Sequence, residues 1–293
     1  MIPIQPCFNY LIFVRSNLRI ELYMMTKINE ATAYIKSIIS TAPEAGIVLG
    51  SGLGSFTQEI TIENEIPYTA IPHFPVSTVK GHSGKLIFGE LSGKKVVVMA
   101  GRFHFYEGYD AQEIVFPIRV MKMLGIKQLM LSNAAGGTNP NLKVGDLMII
   151  TDHISQFQVN PLIGKNIDEL GTRFPDMSEP YKKDLINQAK AIGDAAGYDL
   201  KKGVYIGVTG PTFETRAEYH MVHVLGADAV GMSTVQEAIA AVHMGIPVFA
   251  ISVITDLGIR DVENVITHEE VLQAAKEAEP KLTHIFKEMI AQL

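Results

Sequence analysis

The sequence predicts a single α/β domain with a central mixed β-sheet flanked by helices. The chain has 293 residues, 47% of them hydrophobic, which is enough to bury a large core. From residue 45 onward, short apolar runs alternate with segments of helical periodicity, a pattern typical of a parallel or mixed sheet covered on both faces. No repeat, low-complexity tract or linker divides the chain, so we expect one domain over residues 26–293.

The predicted strands are short apolar runs that end in glycine or polar residues. Residues 46–49 form such a run, and the glycine-rich residues 50–54 after it would let a ligand approach the backbone closely. Residues 86–91 and 95–99 flank Ser92-Gly93-Lys94, which predicts a β-hairpin. Further strands are expected at Gln128–Leu131, Asp146–Thr151, Gly203–Val208, Ala227–Val230 and Val248–Ile254.

The predicted helices have apolar residues at a spacing of three to four. A helix over residues 28–38 would be capped by Thr26, and the helix Ala111–Leu124 should stop at Gly125. Other helices are expected over residues 182–196, 216–225, 234–244 and from 268 onward.

Residues 1–25 differ from the rest and are predicted to be an extension outside the fold. They have no basic start, and Arg15 and Arg19 interrupt the apolar stretch well before membrane-spanning length, which argues against a signal peptide or a membrane span. We expect a mis-assigned start or a loose extension, so that a chain beginning at Met25 keeps activity and assembly. An arm that docks on a partner subunit is the alternative.

Charge and cysteine content limit the class of partner and the compartment. The net charge of −6 provides no basic surface for nucleic acid or an anionic membrane, so the expected partner is a small molecule or a second copy of the chain. Cys7 is the single cysteine and cannot form an internal disulfide. This composition fits a reducing compartment, and we expect a cytoplasmic protein.

Several familiar motifs are incomplete in this sequence. Ser55 stands where a dinucleotide-binding fold needs its third glycine, and Leu86 stands where a P-loop needs a hydroxyl for magnesium. His220 and His223 share a helix face but have no third ligand at the spacing of a zinc protease. The sequence therefore requires no metal.

The stretch after the strand 95–99 contains the side chains best suited to chemistry. Arg102 and His104 are two residues apart and point the same way if the backbone is extended, a pairing that suits an oxyanion such as phosphate. Tyr106 continues the alternation and could offer a hydroxyl to a sugar, while Phe103 and Phe105 would face the opposite side. An ordinary strand end with a surface arginine and a capped histidine explains the same residues equally well.

Polar or small residues also follow other predicted strands, at residues 132–137, 209–215, 231–234 and 254–256. The loop 132–137 would leave backbone N–H groups open to an anion, and Phe213 beside Glu214 could stack on a heterocycle and accept from its ring N–H. Because ligands in open α/β sheets bind at the carboxyl ends of strands, we expect these clusters to converge.

Seven of these clusters, in their order along the chain, resemble those of the trimeric purine nucleoside phosphorylases. They are residues 50–54, Gly81-His82, Gly101–His104, Tyr106–Tyr109, Asn133–Gly137, Gly210–Thr215 and Gly231–Thr234. The resemblance implies a nucleoside-phosphorylase-like fold, a homotrimer with sites near subunit interfaces, and no metal or organic cofactor. It implies reversible phosphorolysis of 6-oxopurine (deoxy)ribonucleosides in purine salvage, with inorganic phosphate as co-substrate.

The resemblance also implies a role for individual residues. Phosphate would be held by Ser51, His82, Arg102, His104, the backbone of Ala134, and Ser233. The nucleoside would meet Tyr106, Asn133, Tyr205, Phe213, Glu214, Met232, Asp256 and His268. His104, Glu214 and Asp256 would take part in catalysis.

Two residues depart from the family pattern. Leu170 stands where family members commonly have an aromatic residue that reaches into the neighbouring subunit's site, so apolar cover is expected there without aromatic contact. Asp256 stands where phosphorylases that prefer 6-oxopurines usually have asparagine.

Asp256 is compatible with a second hypothesis, that the protein is a phosphorylase of 6-aminopurine nucleosides such as methylthioadenosine. Glu214 argues against it, because adenine N1 is an acceptor and would face the carboxylate unfavourably. A nucleoside-binding or sensing protein without catalysis is a third reading. Ser51, Arg102 and His104 speak against it, since nucleoside binding alone needs no phosphate site.

Overall fold

The computed structural model describes residues 23–79, 83–259 and 266–293. The strands in this part of the chain are β1 (Ala45–Val48), β2 (Thr61–Pro67), β3 (Lys85–Leu91), β4 (Lys94–Ala100), β5 (Gln128–Gly137), β6 (Leu147–Ile154), β7 (Lys201–Gly207), β8 (Ala229–Gly231) and β9 (Val248–Leu257). They form one sheet in the order β2-β3-β4-β1-β5-β8-β7-β6-β9. Some neighbouring strands pair in parallel and others pair antiparallel, which confirms the predicted mixed sheet.

Six α-helices are described, and each follows the apolar periodicity of its sequence. They are α1 (23–36), α2 (Ala111–Leu124), α3 (Lys183–Ala195), α4 (Arg216–Val224), α5 (Val235–His243) and α6 (His268–Ala291). Asp110 caps α2 by accepting from two backbone N–H groups, and Gly125 ends it with a left-handed φ of 106°. The predicted bounds of α2 are confirmed.

The sheet closes on itself at one end. Strand β9 pairs in parallel with β5 and antiparallel with β6, while β8 and β7 complete the ring from β5 back to β6. Strands β1, β4, β5 and β9 are linked by parallel pairings and therefore run in the same direction. The segments that follow or end these four strands thus meet at one edge of the sheet.

The structure differs from the sequence analysis at three places. Strand β2 was not predicted, because it is an edge strand with mostly exposed residues and so lacks an apolar run. Asn133–Gly137 is not a loop, since β5 continues through it and pairs with β9, with a shift in register between Ala135 and Gly136. Thr26 is not a helix cap: residues 23–25 are already helical, and Met24 and Met25 pack against the core.

Candidate active site

A cleft lies at the edge where β1, β4, β5 and β9 end. It is a concave site lined by both polar and apolar side chains, as small-molecule sites are. The clusters predicted to converge do so, because most of the predicted site residues line this one cleft. These are Ser51, Arg102, His104, Tyr106, Asn133, Ala134, Phe213, Glu214, Met232, Ser233, Asp256 and His268.

Arg102 lies at one end of the cleft and is almost completely buried, with 1% exposure. Its Nε and Nη2 donate to the two carboxylate oxygens of Glu237 at 3.1 and 2.8 Å. Its Nη1 donates to the carbonyl oxygen of Ser132 at 2.6 Å and to the hydroxyl of Ser233 at 3.2 Å. A planar guanidinium bound on several sides in this way has a fixed orientation. Sequence reasoning missed Glu237, which lies on α5.

His104 continues the same end of the cleft. Its backbone N–H donates to Glu107 at 2.9 Å, and its ring Nδ1 lies 3.1 Å from the same carboxylate oxygen. Burial lowers the pKa of His104, with Arg102 acting in the same direction against the opposing effect of Glu107. A neutral imidazole therefore has its Nδ1–H directed to Glu107.

Glu107 and Tyr106 complete the surroundings of this imidazole. Burial raises the pKa of Glu107, but hydrogen bonds from His104 and Thr78 outweigh it and lower the pKa to about 2. The rings of His104 and Tyr106 stack at 4.7 Å. Tyr106 reaches the cleft from a 3₁₀ turn, Phe105–Glu107, and not from the extended backbone that the sequence predicts.

Asn133 and Ser233 line the middle of the cleft. The Asn133 amide donates to the Thr234 hydroxyl at 2.8 Å, and its Oδ1 is buried with no hydrogen-bond partner among the described residues. A buried acceptor without a partner costs free energy, so it favours a ligand that brings a donor. The Ser233 hydroxyl lies 3.1 Å from that of Thr234.

The far end of the cleft is acidic. Asp256 accepts hydrogen bonds from Tyr219 at 2.7 Å and from Thr255 at 3.0 Å. Burial raises the pKa of the neighbouring Glu214. Phe213, whose side chain is 40% exposed, adds an aromatic face. Sequence reasoning missed Tyr219. It is the fourth residue of α4, the helix that begins just after Glu214, and this closeness in sequence could have indicated that it contacts the same cleft.

Two described residues of the predicted set, Tyr205 and Leu170, do not lie on the wall of the cleft. His82 lies outside the described residues. Tyr205 is fully buried behind Ser233, whose backbone N–H donates to its hydroxyl at 3.3 Å, so it supports the wall and does not form it. Burial raises the pKa of Tyr205 to about 12.

Leu170 packs in the core of its own chain with 5% exposure, so little of its side chain is available to a neighbouring subunit. Asn166 turns this loop inward by donating to the carbonyl oxygen of Gly171 at 2.8 Å and by binding His243 at 3.2 Å. Phe174, later in the same loop, is 86% exposed.

Two further findings concern classes of site. In the described part of the chain no group of three or more His, Cys, Asp or Glu side chains is placed to hold a metal ion. None of the described helices is long and apolar enough to cross a membrane.

Comparison with known proteins agrees with the family resemblance. Residues 44–291 match the model of the phosphorylase superfamily. Purine nucleoside phosphorylase 1 of Geobacillus stearothermophilus is 47% identical over 268 residues, which cover 92% of this chain and 98% of that protein. The Schistosoma mansoni purine nucleoside phosphorylase in complex with adenosine has a TM-score of 0.87 at 44% identity, covering 91% of this chain and 96% of that one. A Schistosoma mansoni purine nucleoside phosphorylase in complex with inosine has a TM-score of 0.87 at 42% identity, covering 92% of this chain and 96% of that one. The chain therefore belongs to the phosphorylase superfamily, among its purine nucleoside phosphorylases.

Proposed function

We propose that this protein catalyses the reversible phosphorolysis of 6-oxopurine (deoxy)ribonucleosides such as inosine and guanosine. The products are the free base and (deoxy)ribose 1-phosphate, and inorganic phosphate is the co-substrate, with no cofactor. The observation that carries the proposal is a single cleft with Arg102 and His104 at one end and Glu214 and Asp256 at the other. The cationic end suits the negative charge of phosphate, and the acidic end suits the hydrogen-bond donors of a purine.

The reaction needs no nucleophile from the protein. A phosphate oxygen forms a bond to C1′ of the sugar as the bond from C1′ to N9 breaks, and the electron pair of that bond leaves with the purine, which takes up a proton. The transition state resembles an oxocarbenium ion, as in other glycosyl transfers. Holding both substrates in line supplies several kcal/mol of the barrier, roughly 7–11 in well-oriented model systems.

Each part of the cleft has a task in this reaction. Ser51, Arg102, His104, Ser233, the Ala134 backbone and, by family resemblance, His82 would bind phosphate. Tyr106, Met232, His268 and the unpaired Oδ1 of Asn133 would meet the sugar, whose hydroxyl groups supply donors. Phe213 would stack on the base, with Tyr205 as support behind the wall.

The carboxylates of Glu214 and Asp256 would recognise the base through hydrogen bonds. An ionised Glu214 accepts from N1–H of hypoxanthine or guanine, whereas adenine N1 has no proton to donate. Asp256 can accept from the exocyclic amine of adenine, so we expect discrimination against adenosine to be weaker than with asparagine at this position. The S. mansoni purine nucleoside phosphorylase structures, which include complexes with inosine and with adenosine, are compatible with such a site.

The assembly and location of the protein are part of the proposal. We expect a homotrimer, as the family resemblance implies. An exposed apolar surface that includes Ile163 and Phe174 borders a second cleft and supports association with a further copy of the chain. Light scattering should give the mass of three chains. The single cysteine fits a cytoplasmic enzyme.

The test is base release from inosine, guanosine and adenosine, each with and without phosphate. We expect release to require phosphate, to be fastest with the two 6-oxopurine nucleosides, and to be nearly abolished by Arg102→Ala while circular dichroism stays native. Equal release without phosphate would indicate a hydrolase and refute the proposal.

A further inference from the structure

A tyrosine hydroxyl lies between the two carboxylates at the base end of the cleft. Tyr219, on α4, lines the cleft with only 2% exposure. Its hydroxyl donates to Oδ2 of Asp256 at 2.7 Å, and Glu214 is close enough for its charge to affect the phenol. Burial, followed by the charges of Asp256 and Glu214, raises the pKa of Tyr219, so the phenol keeps its proton at neutral pH.

The hydrogen bonds around Asp256 define what this carboxylate can offer a ligand. Tyr219 donates to one of its oxygens, and the Thr255 hydroxyl donates to the other at 3.0 Å. An ionised carboxylate can only accept, and each oxygen keeps a second lone pair for a donor on the ligand.

The position of the Tyr219 ring is set by two glycines. A Cβ atom on Gly136 would lie 2.6 Å from the Tyr219 hydroxyl oxygen and 2.9 Å from Oδ2 of Asp256. A Cβ atom on Gly258 would overlap the ring itself. Because β5 and the end of β9 leave this space open, the ring fits between them and its hydroxyl is held against Asp256.

We propose that Tyr219 sets the base selectivity of the enzyme by holding Asp256 as a hydrogen-bond acceptor toward the purine. This inference rests on the proposed function. An acceptor at this place favours the exocyclic amine of adenine, whereas O6 of hypoxanthine or guanine presents only lone pairs to it. Tyr219 is thus a positioning residue that acts through Asp256. Its effect is to reduce the preference of the enzyme for 6-oxopurine nucleosides over adenosine.

The test is the ratio of kcat/KM for inosine to kcat/KM for adenosine in Tyr219→Phe. Without the phenol hydroxyl, Asp256 loses the hydrogen bond that fixes its side chain, so its oxygens no longer face the exocyclic amine of adenine in one orientation and adenosine loses more than inosine. We expect the ratio to rise roughly tenfold, the effect of one hydrogen bond to a charged group. Gly258→Ala, which displaces the ring, should raise the ratio in the same direction.

Tyr181→Phe is the matched control, since it removes another buried phenol whose hydroxyl binds His153 at 3.0 Å, away from the cleft. Its ratio should equal that of the native protein. If Tyr219→Phe lowers both kcat/KM values equally, as a structural role alone would, the inference is refuted.

A double variant separates action through Asp256 from an independent effect. In an Asp256→Asn background, Tyr219→Phe should change the ratio by less than about twofold, because the group it acts through is already altered. The same change in both backgrounds would overturn the inference. Native protein that releases no base from either nucleoside would instead refute the proposed function, so the two failures are distinguishable.

Discussion

At the scale of single residues, the ion pair of Arg102 and Glu237 decides how the anion end of the cleft works. Both side chains are buried, with 1% and 3% exposure, and the pair is bidentate. A guanidinium in such a place is stable only when it is paired and hydrogen-bonded. Glu237 therefore holds Arg102 in one orientation, so its positive charge is fixed at the anion end of the cleft before phosphate binds.

Glu237→Gln tests this positioning role. Removing the charge leaves Arg102 buried without its counter-ion, so we expect the free energy of unfolding to fall by about 3 kcal/mol. We also expect the KM for phosphate to rise more than the KM for inosine, because Arg102 is on the phosphate side. Urea unfolding and steady-state kinetics measure the two effects.

Glu65→Gln is the control for Glu237→Gln. It removes a carboxylate that pairs with Lys85 at 2.6 Å, but both side chains are well exposed, at 41% and 30%. Exposed ion pairs contribute about 0–1 kcal/mol. Equal losses of stability in the two variants would contradict the role assigned to Glu237.

At the scale of elements, the cleft depends on how closely the segment after β1 approaches β5. A Cβ atom on Gly50 would lie 2.7 Å from Cα of Asn133 and 2.9 Å from the carbonyl oxygen of Ser132. That same carbonyl accepts from Arg102 at 2.6 Å. Contact between two backbones cannot be relieved by rotating a side chain, so a larger residue would push the strand edge and Arg102 out of place.

We therefore expect Gly50→Ala to reduce stability by about 1–3 kcal/mol, the usual cost of overpacking, and to raise the KM for phosphate. Gly54→Ala is the matched control, because a Cβ atom there would meet nothing within 4 Å. Thermal unfolding and phosphate titrations of the two variants provide the comparison. Unchanged phosphate kinetics in Gly50→Ala would show that the close approach does not position Arg102.

The elements that the sequence predicts well are those with a strong local signal. Helix α2 has an apolar stripe, a capping aspartate and a terminal glycine, and the hairpin of β3 and β4 has a glycine at φ 79° in its turn. Strand β2 has no such signal, because its side chains are mostly exposed. The extension of β5 through Asn133–Gly137 depends on pairing with β9, which lies more than 100 residues later.

The same distinction applies to the cleft. Residue types at strand ends indicate which side chains converge, so most of the predicted residues do line it. The partners that orient them are distant in sequence: Glu237 is 135 residues from Arg102, and Tyr219 is 37 residues from Asp256. The inward turn of Leu170 likewise depends on the packing of its loop against His243, which no local pattern reports.

At the scale of the whole molecule, three histidines with lowered pKa values make the free energy of unfolding depend on pH. Burial lowers the pKa of His104, His153 and His243 below the ordinary value of 6.5. The unfolded chain therefore binds protons at a pH where the folded chain does not, and stability falls as pH drops below 6.5. Burial raises the pKa of Glu214, which acts in the opposite direction. Glu107 has a pKa of about 2, so its contribution to the free energy of unfolding is lost only below pH 4.5.

We expect the free energy of unfolding to decrease between pH 7 and pH 5.5, since three histidines outweigh one glutamate in this range. Each histidine contributes at most about 1.4 kcal/mol per pH unit. His153→Gln should make the decrease shallower, because it removes one of the three groups and does not change the lining of the active-site cleft. Urea unfolding at several pH values measures the slope. A slope that is the same in the native protein and in His153→Gln would contradict the lowered pKa of His153.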